Sequence, residues 1–204
     1  MRASELTRRL AELEPFAAPD PALEQVATPA EAAAELLRRA VAHDDLAGRS
    51  VADLGCGTGA LGIGAALLGA GPVFGVDLDA AALAVARRNA GRAGVEFELV
   101  AGPVDAFDRP VDTVLMNPPF GAQRRHADRP FWATAVRVAR RRTYAFALAD
   151  SRTFIARWAV ETAAPILETR PVRWALPATF RHHRKARVPL PVDLWVLGAP
   201  RRAR

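Results

Sequence analysis

The residues best suited to chemistry are Asn117-Pro118-Pro119-Phe120, which follow a short apolar run at 113–116. Two consecutive prolines remove two backbone N–H donors and stiffen the loop, so its carbonyl oxygens are free to point outward. The side-chain carbonyl of Asn117 and the main-chain carbonyl of Pro118 could then accept both hydrogens of an amino group. Phe120 offers a face on which a planar base can stack. The motif predicts a site for an exocyclic amino group; the alternative is a rigid turn with an aromatic plug.

A glycine-rich turn, DLGCGTG at 53–59, lies upstream, where a first strand should end and a helix begin. Glycines there allow a tight turn and let backbone amides approach a ligand closely. The spacing is G-x-G-x-G, whereas dinucleotide sites use G-x-G-x-x-G, and Asp53 is unfavourable for a pyrophosphate. The carboxylate suits a ligand with a positive amino-acid end and a sulfonium. The alternative is a purely structural turn.

A second acidic motif, GVDLD at 75–79, should end the second strand. Asp77 lies 18 residues after Gly59, and an acid at this place can accept hydrogen bonds from two ribose hydroxyls. Asp79 is better explained as the N-cap of the next helix. Together the two motifs indicate a cofactor that contains a nucleoside.

These motifs require a scaffold of alternating strands and helices. The sequence pattern predicts strands at 50–54, 73–78, 95–100, 113–116 and 143–148, and helices at 4–14, 30–42, 59–68, 80–91, 130–141 and 151–162. Thr28 and Glu31 have the spacing of a capping box at the start of the second helix. Two extended runs, at 170–176 and 189–197, could form a closing hairpin. We therefore expect an α/β fold with a doubly wound, mostly parallel, seven-stranded Rossmann-like sheet and a C-terminal antiparallel hairpin.

Composition limits the class of protein. The length suits one α/β domain over 1–204, with 1–48 as an N-terminal helical segment that contributes to the cofactor site. The apolar runs fall short of the roughly 20 residues that a membrane span needs, and the N-terminus lacks a signal-peptide core. The single cysteine, Cys56, excludes an internal disulfide and a thiolate zinc cluster. We expect a cytoplasmic protein with no membrane partner.

Charge is segregated along the chain. Residues 1–116 carry 10 basic and 17 acidic side chains, a net charge of −7, whereas 117–204 carry 18 basic and 5 acidic, a net charge of +13. A cationic half favours a polyanion such as nucleic acid. Base composition of the genome could explain arginine in place of lysine, but not this segregation of sign. The densest basic run is at 179–188, where four residues could engage phosphates, namely Arg181, Arg184, Lys185 and Arg187; the alternative is a solvated loop.

The motifs together resemble class I methyltransferases that modify amino groups, in which N/D-P-P-Y/F marks the acceptor site. More closely, the chain resembles the archaeal and eukaryotic methyltransferase-like family that makes N6-methyladenosine in small-subunit ribosomal RNA. The resemblance covers roughly 22–195. It rests on LEQ at 23–25 with Thr28, DLGCGTGAL at 53–61, LGAG at 68–71, GVDLD at 75–79, VDTVLMNPPFG at 111–121, and LPA at 176–178 with His183, Lys185 and VDL at 192–194.

The resemblance implies S-adenosylmethionine as the cofactor and adenine N6 in RNA as the acceptor. It implies cofactor contacts from Gln25, Thr28, Asp53, Gly55, Gly57, Thr58, Gly59, Ala60, Asp77 and Leu78, and an acceptor site formed by Asn117, Pro118, Pro119 and Phe120. The chain departs from the family at Val26, which replaces a tyrosine, and at Pro103, which replaces an acid near the cofactor's adenine. Asp105 is a candidate substitute for that acid. After the fifth strand, TYAFA at 143–147 keeps only the tyrosine of the family's Y-S-x-H-K.

The resemblance also implies a small zinc-binding activator protein that pairs with a sheet edge. The strand from Val95 to Val100 is the expected edge, because the closing hairpin should occupy the opposite side. Other acceptors remain open: guanine N2 in RNA, adenine in DNA, or a glutamine amide in a protein. A catalytically silent RNA-binding module on the same fold is the alternative from another class.

Overall fold

The computed structural model describes residues 1–121, 123, 125–174 and 190–200. Its sheet has the strand order β3-β2-β1-β4-β5-β7-β6. The strands are β1 (Val51–Leu54), β2 (Val73–Asp77), β3 (Glu98–Ala101), β4 (Val111–Met116), β5 (Ala139–Leu148), β6 (Ile166–Val172) and β7 (Val192–Gly198). Neighbours from β3 to β5 run parallel, and β7 lies antiparallel between β5 and β6. The predicted doubly wound sheet with an antiparallel C-terminal pair is confirmed.

Helices cover both faces of this sheet. They are α1 (Ala3–Ala11), α2 (Ala30–Ala42), α3 (Ala60–Leu67), α4 (Ala80–Ala93), α5 (Arg129–Val138) and α6 (Arg152–Glu161). One core joins α1, α2 and α3 to the sheet through residues such as Leu6, Leu36 and Leu115. The other joins α5 and α6 to the opposite face through Trp132 and Ile155. Because the carboxyl ends of parallel strands lie at the same edge of the sheet, the site motifs gather at the ends of β1, β2 and β4.

Strand β3 is shorter than predicted. It begins at Glu98 because α4 continues to Ala93 and ends at Gly94, whose φ of 68° is left-handed. The intervening residues bring the chain across to the sheet. The ring of Phe97 fills the space over Gly62 and Gly75, where an added Cβ would lie 2.5 and 2.3 Å from ring carbons. The predicted edge position is confirmed, but Val95, Glu96 and Phe97 belong to the crossover.

The helix predicted at 130–141 ends at Val138, and β5 begins at once. The reason is a buried carboxylate: Asp45, in the α2–β1 loop, is fully buried. It accepts hydrogen bonds from Arg141 Nε at 2.8 Å, Arg142 Nη1 at 2.9 Å and the Tyr144 hydroxyl at 2.7 Å. These long-range bonds hold the arginines in extended chain, although their local sequence favours a helix.

The start of α2 also differs from the prediction. The N-cap residue of α2 is Pro29, and no side chain caps this helix with a hydrogen bond. The capping box predicted from Thr28 and Glu31 is therefore wrong. The Thr28 hydroxyl accepts a hydrogen bond from the side chain of Asn117 instead.

Candidate active site

A cavity of about 330 Å³ opens at the carboxyl ends of β1, β2 and β4. It is lined by most of the residues predicted to bind the cofactor or the acceptor, namely Gln25, Thr28, Asp53, Gly55, Gly57, Thr58, Ala60, Asp77, Leu78, Asp105, Asn117 and Pro119. Of the predicted residues that the structure describes, Gly59, Pro118 and Phe120 lie outside this lining. The predicted RNA-binding residues Arg181, Arg184, Lys185 and Arg187 lie outside the described residues.

The glycine-rich turn forms a closely covered cradle. Gly55 and Gly57 have left-handed φ values of 68° and 52°. An added Cβ would lie 2.6 Å from the ring of Phe131 at Gly55, and 2.7 Å from the ring of Phe16 at Gly57. Glycine is needed at both positions, since any side chain would displace an aromatic ring that lines the cavity. Gly59 is the N-cap residue of α3 and has a φ of 93°, a backbone conformation that glycine adopts readily and that the turn into the helix requires.

Asp53 lies beneath this turn and is 1% exposed. Its Oδ2 accepts a hydrogen bond from the Gly62 N–H at 2.8 Å. Burial raises the pKa of the carboxyl to about 7. The hydrogen bond from Gly62 lowers this pKa, and the negative charge of Asp77 raises it further. A ligand that brings a cationic amino group would favour the ionised form. The site therefore suits the amino-acid end of S-adenosylmethionine, as the sequence predicts.

Asp77 ends β2 and is half-buried. Its Oδ2 accepts from the Gly57 N–H at 2.8 Å and its Oδ1 from the Asp79 N–H at 2.9 Å. Burial raises its pKa although both bonds favour the charged form. Each carboxylate oxygen can accept a second hydrogen bond, so Asp77 retains capacity for two ribose hydroxyls. The two carboxylates and the glycine cradle fit a cofactor with a cationic amino-acid end and a ribose.

The segment between α1 and α2 lines the cavity and is held there by the side chains of Gln25 and Glu24. Gln25 Nε2 donates to Asp79 Oδ2 at 2.7 Å, while Gln25 Oε1 accepts from the Asp20 N–H at 2.7 Å. Glu24 Oε1 accepts from the Gln123 N–H at 2.7 Å, in the loop after the acceptor motif. Gln25 thus lines the cavity: its Nε2 anchors the segment to the start of α4, while its Oε1 bonds within the segment. Asp79 also accepts from the Ala81 N–H, which confirms it as the N-cap of α4.

Asn89 was not singled out in the sequence. It is 1% exposed on α4, where its Oδ1 accepts from the Glu14 N–H at 2.8 Å. Its Nδ2 donates to the carbonyls of Glu14 and Thr58, at 3.1 and 3.0 Å. One side chain therefore ties the N-terminal segment to the glycine-rich turn. The sequence does carry one sign of this role: Asn89 is a polar residue among the alanine, leucine and valine residues of the buried face of α4.

The acceptor half of the site is built around Asn117, at the end of β4. Its Nδ2 donates to Thr28 Oγ1 at 3.0 Å. Its Oδ1 is buried and has no hydrogen-bond partner among the described residues. A buried acceptor without a partner costs about 1–3 kcal/mol, and such atoms are uncommon in folded proteins. Since Asn117 lines the cavity, this oxygen is a candidate acceptor for an N–H group of a substrate.

Phe120, the aromatic residue of the acceptor motif, is half-buried. Its ring meets that of Trp174 edge-on, with centroids 5.7 Å apart and planes 63° apart. Trp174 in turn packs edge-on against Phe146 at 5.1 Å. The position of the Phe120 ring therefore depends on its contact with Trp174, which follows β6 and packs in turn on Phe146 of β5. This cluster fixes the ring that the sequence predicts as a stacking platform.

Hydrogen-bond acceptors of this kind suit transfer to an amino nitrogen. The lone pair of an exocyclic amine is delocalised into the ring, so the group is a poor nucleophile. An oxygen that accepts its N–H draws the nitrogen toward tetrahedral geometry and frees the lone pair. S-adenosylmethionine supplies an activated methyl group on a sulfonium when it is bound. Orientation and stabilisation of developing positive charge are then the main contributions of the protein.

Within the described ranges, no group of three or more His, Cys, Asp or Glu side chains could hold a metal ion. Across the same residues, no helix is both long enough and apolar enough to span a bilayer.

Comparisons with known proteins show the family of the chain. The family model for the methyltransferase small domain matches residues 28–143. The rRNA N(6)-adenosine-methyltransferase METTL5 of Danio rerio is 34% identical over 95% of this chain and 97% of that protein. Its namesake in Drosophila melanogaster is 32% identical over 96% of this chain and 95% of that protein.

Solved structures show the same fold over nearly all of the chain. The crystal structure of a candidate RNA methyltransferase from Pyrococcus horikoshii has a TM-score of 0.89 at 37% identity, and covers 98% of this chain and 99% of that one. A Thermoplasma acidophilum protein has a TM-score of 0.76 at 28% identity, and covers 97% of both chains. The enzyme class and the cofactor predicted from the sequence are confirmed. The chain belongs to the methyltransferase small domain family, as an S-adenosylmethionine-dependent methyltransferase related to METTL5.

Proposed function

We propose that this methyltransferase acts on RNA and transfers its methyl group to the N6 amino group of adenine in small-subunit ribosomal RNA. The observation that carries the proposal concerns Asn117, which lines the cofactor cavity: its Oδ1 is buried and has no partner among the residues that the structure describes. It is a hydrogen-bond acceptor placed to take an amino N–H. The names of the full-length relatives support adenine N6 and ribosomal RNA. The small subunit follows from the family that the motifs resemble.

Exposed arginines beside the acceptor site support RNA as the substrate. Arg125 lies between the acceptor motif and α5, Arg129 is the first residue of α5, and both are exposed. The guanidinium of Arg129 lies over the ring of Phe154, 5.7 Å from its centroid. Cations at the mouth can contact phosphates on either side of a target nucleotide. The target base must leave a stack to reach the cavity, so a single-stranded or extruded adenine fits best.

The direct test uses the purified chain, S-adenosylmethionine and ribosomal RNA from cells that lack the gene. We expect N6-methyladenosine to appear in digested small-subunit RNA, measured by mass spectrometry of nucleosides. Asn117→Ala is the control variant: it should bind the cofactor almost as tightly and lose about 100-fold or more in turnover. N2-methylguanosine as the product, or modification of DNA alone, would contradict the proposal. A fully active Asn117→Ala variant would remove Asn117 from the site.

We also propose that β3 is the edge that pairs with a small zinc-binding activator protein. Among the described residues, β3 is an end strand, bonded to β2 on one side. The Gly102 N–H donates to the Asp77 carbonyl of β2 at 2.9 Å. Because N–H groups alternate in direction along a strand, the Ala101 N–H should point to the open side. Such unpaired groups are what an added strand would bind.

Ala101→Pro tests this pairing, because proline removes an outward N–H and leaves the bonds to β2 in place. Co-expression with the organism's own activator should give a one-to-one complex for the wild type and for the control Ala101→Val, but not for Ala101→Pro. Cofactor binding by all three chains would show that the fold is kept. A wild-type chain that is fully active and never binds the activator would refute the idea.

Two expectations about the whole protein are also proposals. We propose that residues 1–204 act as a single domain, supported by the bonds of Gln25 and Asn89 between the N-terminal segment and the sheet. We propose a cytoplasmic location, in keeping with one free, buried cysteine at position 56. Limited proteolysis and a fluorescent fusion would test these two points.

A further inference from the structure

The two ends of the Asn117 side chain have opposite hydrogen-bonding character. Its oxygen accepts hydrogen bonds, while its NH2 group donates two. Only the oxygen can receive an N–H of an amino substrate. Rotation of the carboxamide by half a turn would place NH2 against the substrate's own NH2, where neither group could accept. Activity through Asn117 therefore requires one of two orientations of similar shape.

Thr28 supplies the contact that holds the carboxamide in the orientation seen in the structure. Its Oγ1 accepts the Asn117 Nδ2–H at 3.0 Å, while Oδ1 stays buried with no partner among the described residues. Without this hydroxyl, the buried Nδ2 would lose that acceptor in the productive orientation. The carboxamide would then no longer be held by this bond, and its NH2 group could turn toward the cavity. The Thr28 hydroxyl is free for this contact because it does not cap α2.

The position of Thr28 is fixed by its own neighbours in the chain. Gln25 bonds to Asp79 beside the cofactor half of the site, and Glu24 bonds to the Gln123 N–H beyond the acceptor motif. On its other side, the Pro29 carbonyl accepts from the Ala33 N–H at 2.9 Å in the first turn of α2. Thr28 is therefore held between an anchored segment and a helix.

We propose that Thr28 is a positioning residue, which orients the Asn117 carboxamide so that Oδ1 faces the substrate amino group. The inference rests on the proposed function of Asn117 as the acceptor of that group. It assigns Thr28 an effect on turnover, whereas the resemblance to known methyltransferases implies a cofactor contact. These two roles predict different kinetic changes.

The test compares Thr28→Val, which keeps the shape but loses the hydroxyl, with Thr28→Ser, which keeps the hydroxyl. We expect Thr28→Val to lower kcat by about 10-fold or more, with cofactor affinity within about 3-fold of wild type. Thr28→Ser should restore most of the turnover. Cofactor affinity is measured by calorimetry, and kcat by transfer of a labelled methyl group at saturating cofactor and RNA.

A double-mutant cycle with Asn117→Ala shows whether Thr28 acts through Asn117. If it does, Thr28→Val should change the residual turnover of Asn117→Ala by less than about 2-fold. An equal loss of kcat in both backgrounds would overturn the inference, as would loss of cofactor affinity with unchanged kcat. If Asn117→Ala itself kept full turnover, the proposed function of Asn117 would fail instead. The two failures are thus distinguishable.

Discussion

Asp53 connects a buried carboxyl to cofactor binding. Burial raises its pKa to about 7 in the free protein, so the group is largely protonated in mild acid. A cationic cofactor should lower that pKa, and binding in mild acid must then release a proton. We expect affinity for S-adenosylmethionine to rise between about pH 5.5 and pH 7, a range in which an α-amino group stays mostly protonated.

Calorimetry in two buffers with different ionisation enthalpies would measure this proton release. Asp53→Asn is the matched control, because it keeps an oxygen that can accept from the Gly62 N–H but cannot titrate. Its affinity should be weaker and nearly independent of pH over the same range. Equal pH dependence in the wild type and in Asp53→Asn would assign the effect to another group.

At the level of single residues, the sequence alone indicated the carboxylates, the glycine turn and Asn117 as candidates, because each lies in a short motif. It did not identify Phe131, whose ring covers Gly55, or Phe16, whose ring covers Gly57. Both are distant along the chain, and nothing in their local sequence indicates a ligand. It also could not show that Thr28 bonds to Asn117, since that pairing depends on how α2 lies on the sheet.

Among the elements, the parallel strands and their helices were predictable because strand and helix periods alternate along residues 50–116. The start of β5 was not, since Arg141 and Arg142 are held in extended chain by the distant Asp45. The crossover before β3 was misjudged for a similar reason: Phe97 alternates with polar neighbours as in a strand, yet its ring fills space above two glycines.

The Asp45 cluster gives a stability prediction. Its carboxylate is fully buried, whereas the side chains of Arg141 and Arg142 are 35% and 28% exposed. Asp45→Asn should lower the free energy of unfolding by about 2–3 kcal/mol, less than for a fully buried pair because the arginines reach solvent. Urea denaturation measures the change. Glu12→Gln, at an exposed pair with Arg8, should cost less than about 1 kcal/mol. Equal losses in the two variants would contradict the account.

Over the whole molecule, the charge segregation predicts how RNA binds. Replacing Arg125 and Arg129 with Gln should raise the KM for RNA, flatten its dependence on salt and leave cofactor affinity unchanged. Arg8→Gln on α1 is the control, since this exposed arginine is paired with Glu12. Replacing Arg181, Arg184, Lys185 and Arg187 with Gln should act in the same direction. An unchanged salt slope in both sets of variants would refute a phosphate-binding role for these arginines.

The central claim concerns the acceptor atom, and one measurement in cells tests it most directly. Small-subunit ribosomal RNA is isolated from cells with the gene deleted, and from deleted cells that carry the wild type or Asn117→Ala. Mass spectrometry of its nucleosides, followed by mapping, should show one N6-methyladenosine that disappears on deletion and returns only with the wild type. An unchanged N6-methyladenosine content after deletion, or the loss of a different methylated nucleoside, would contradict the account.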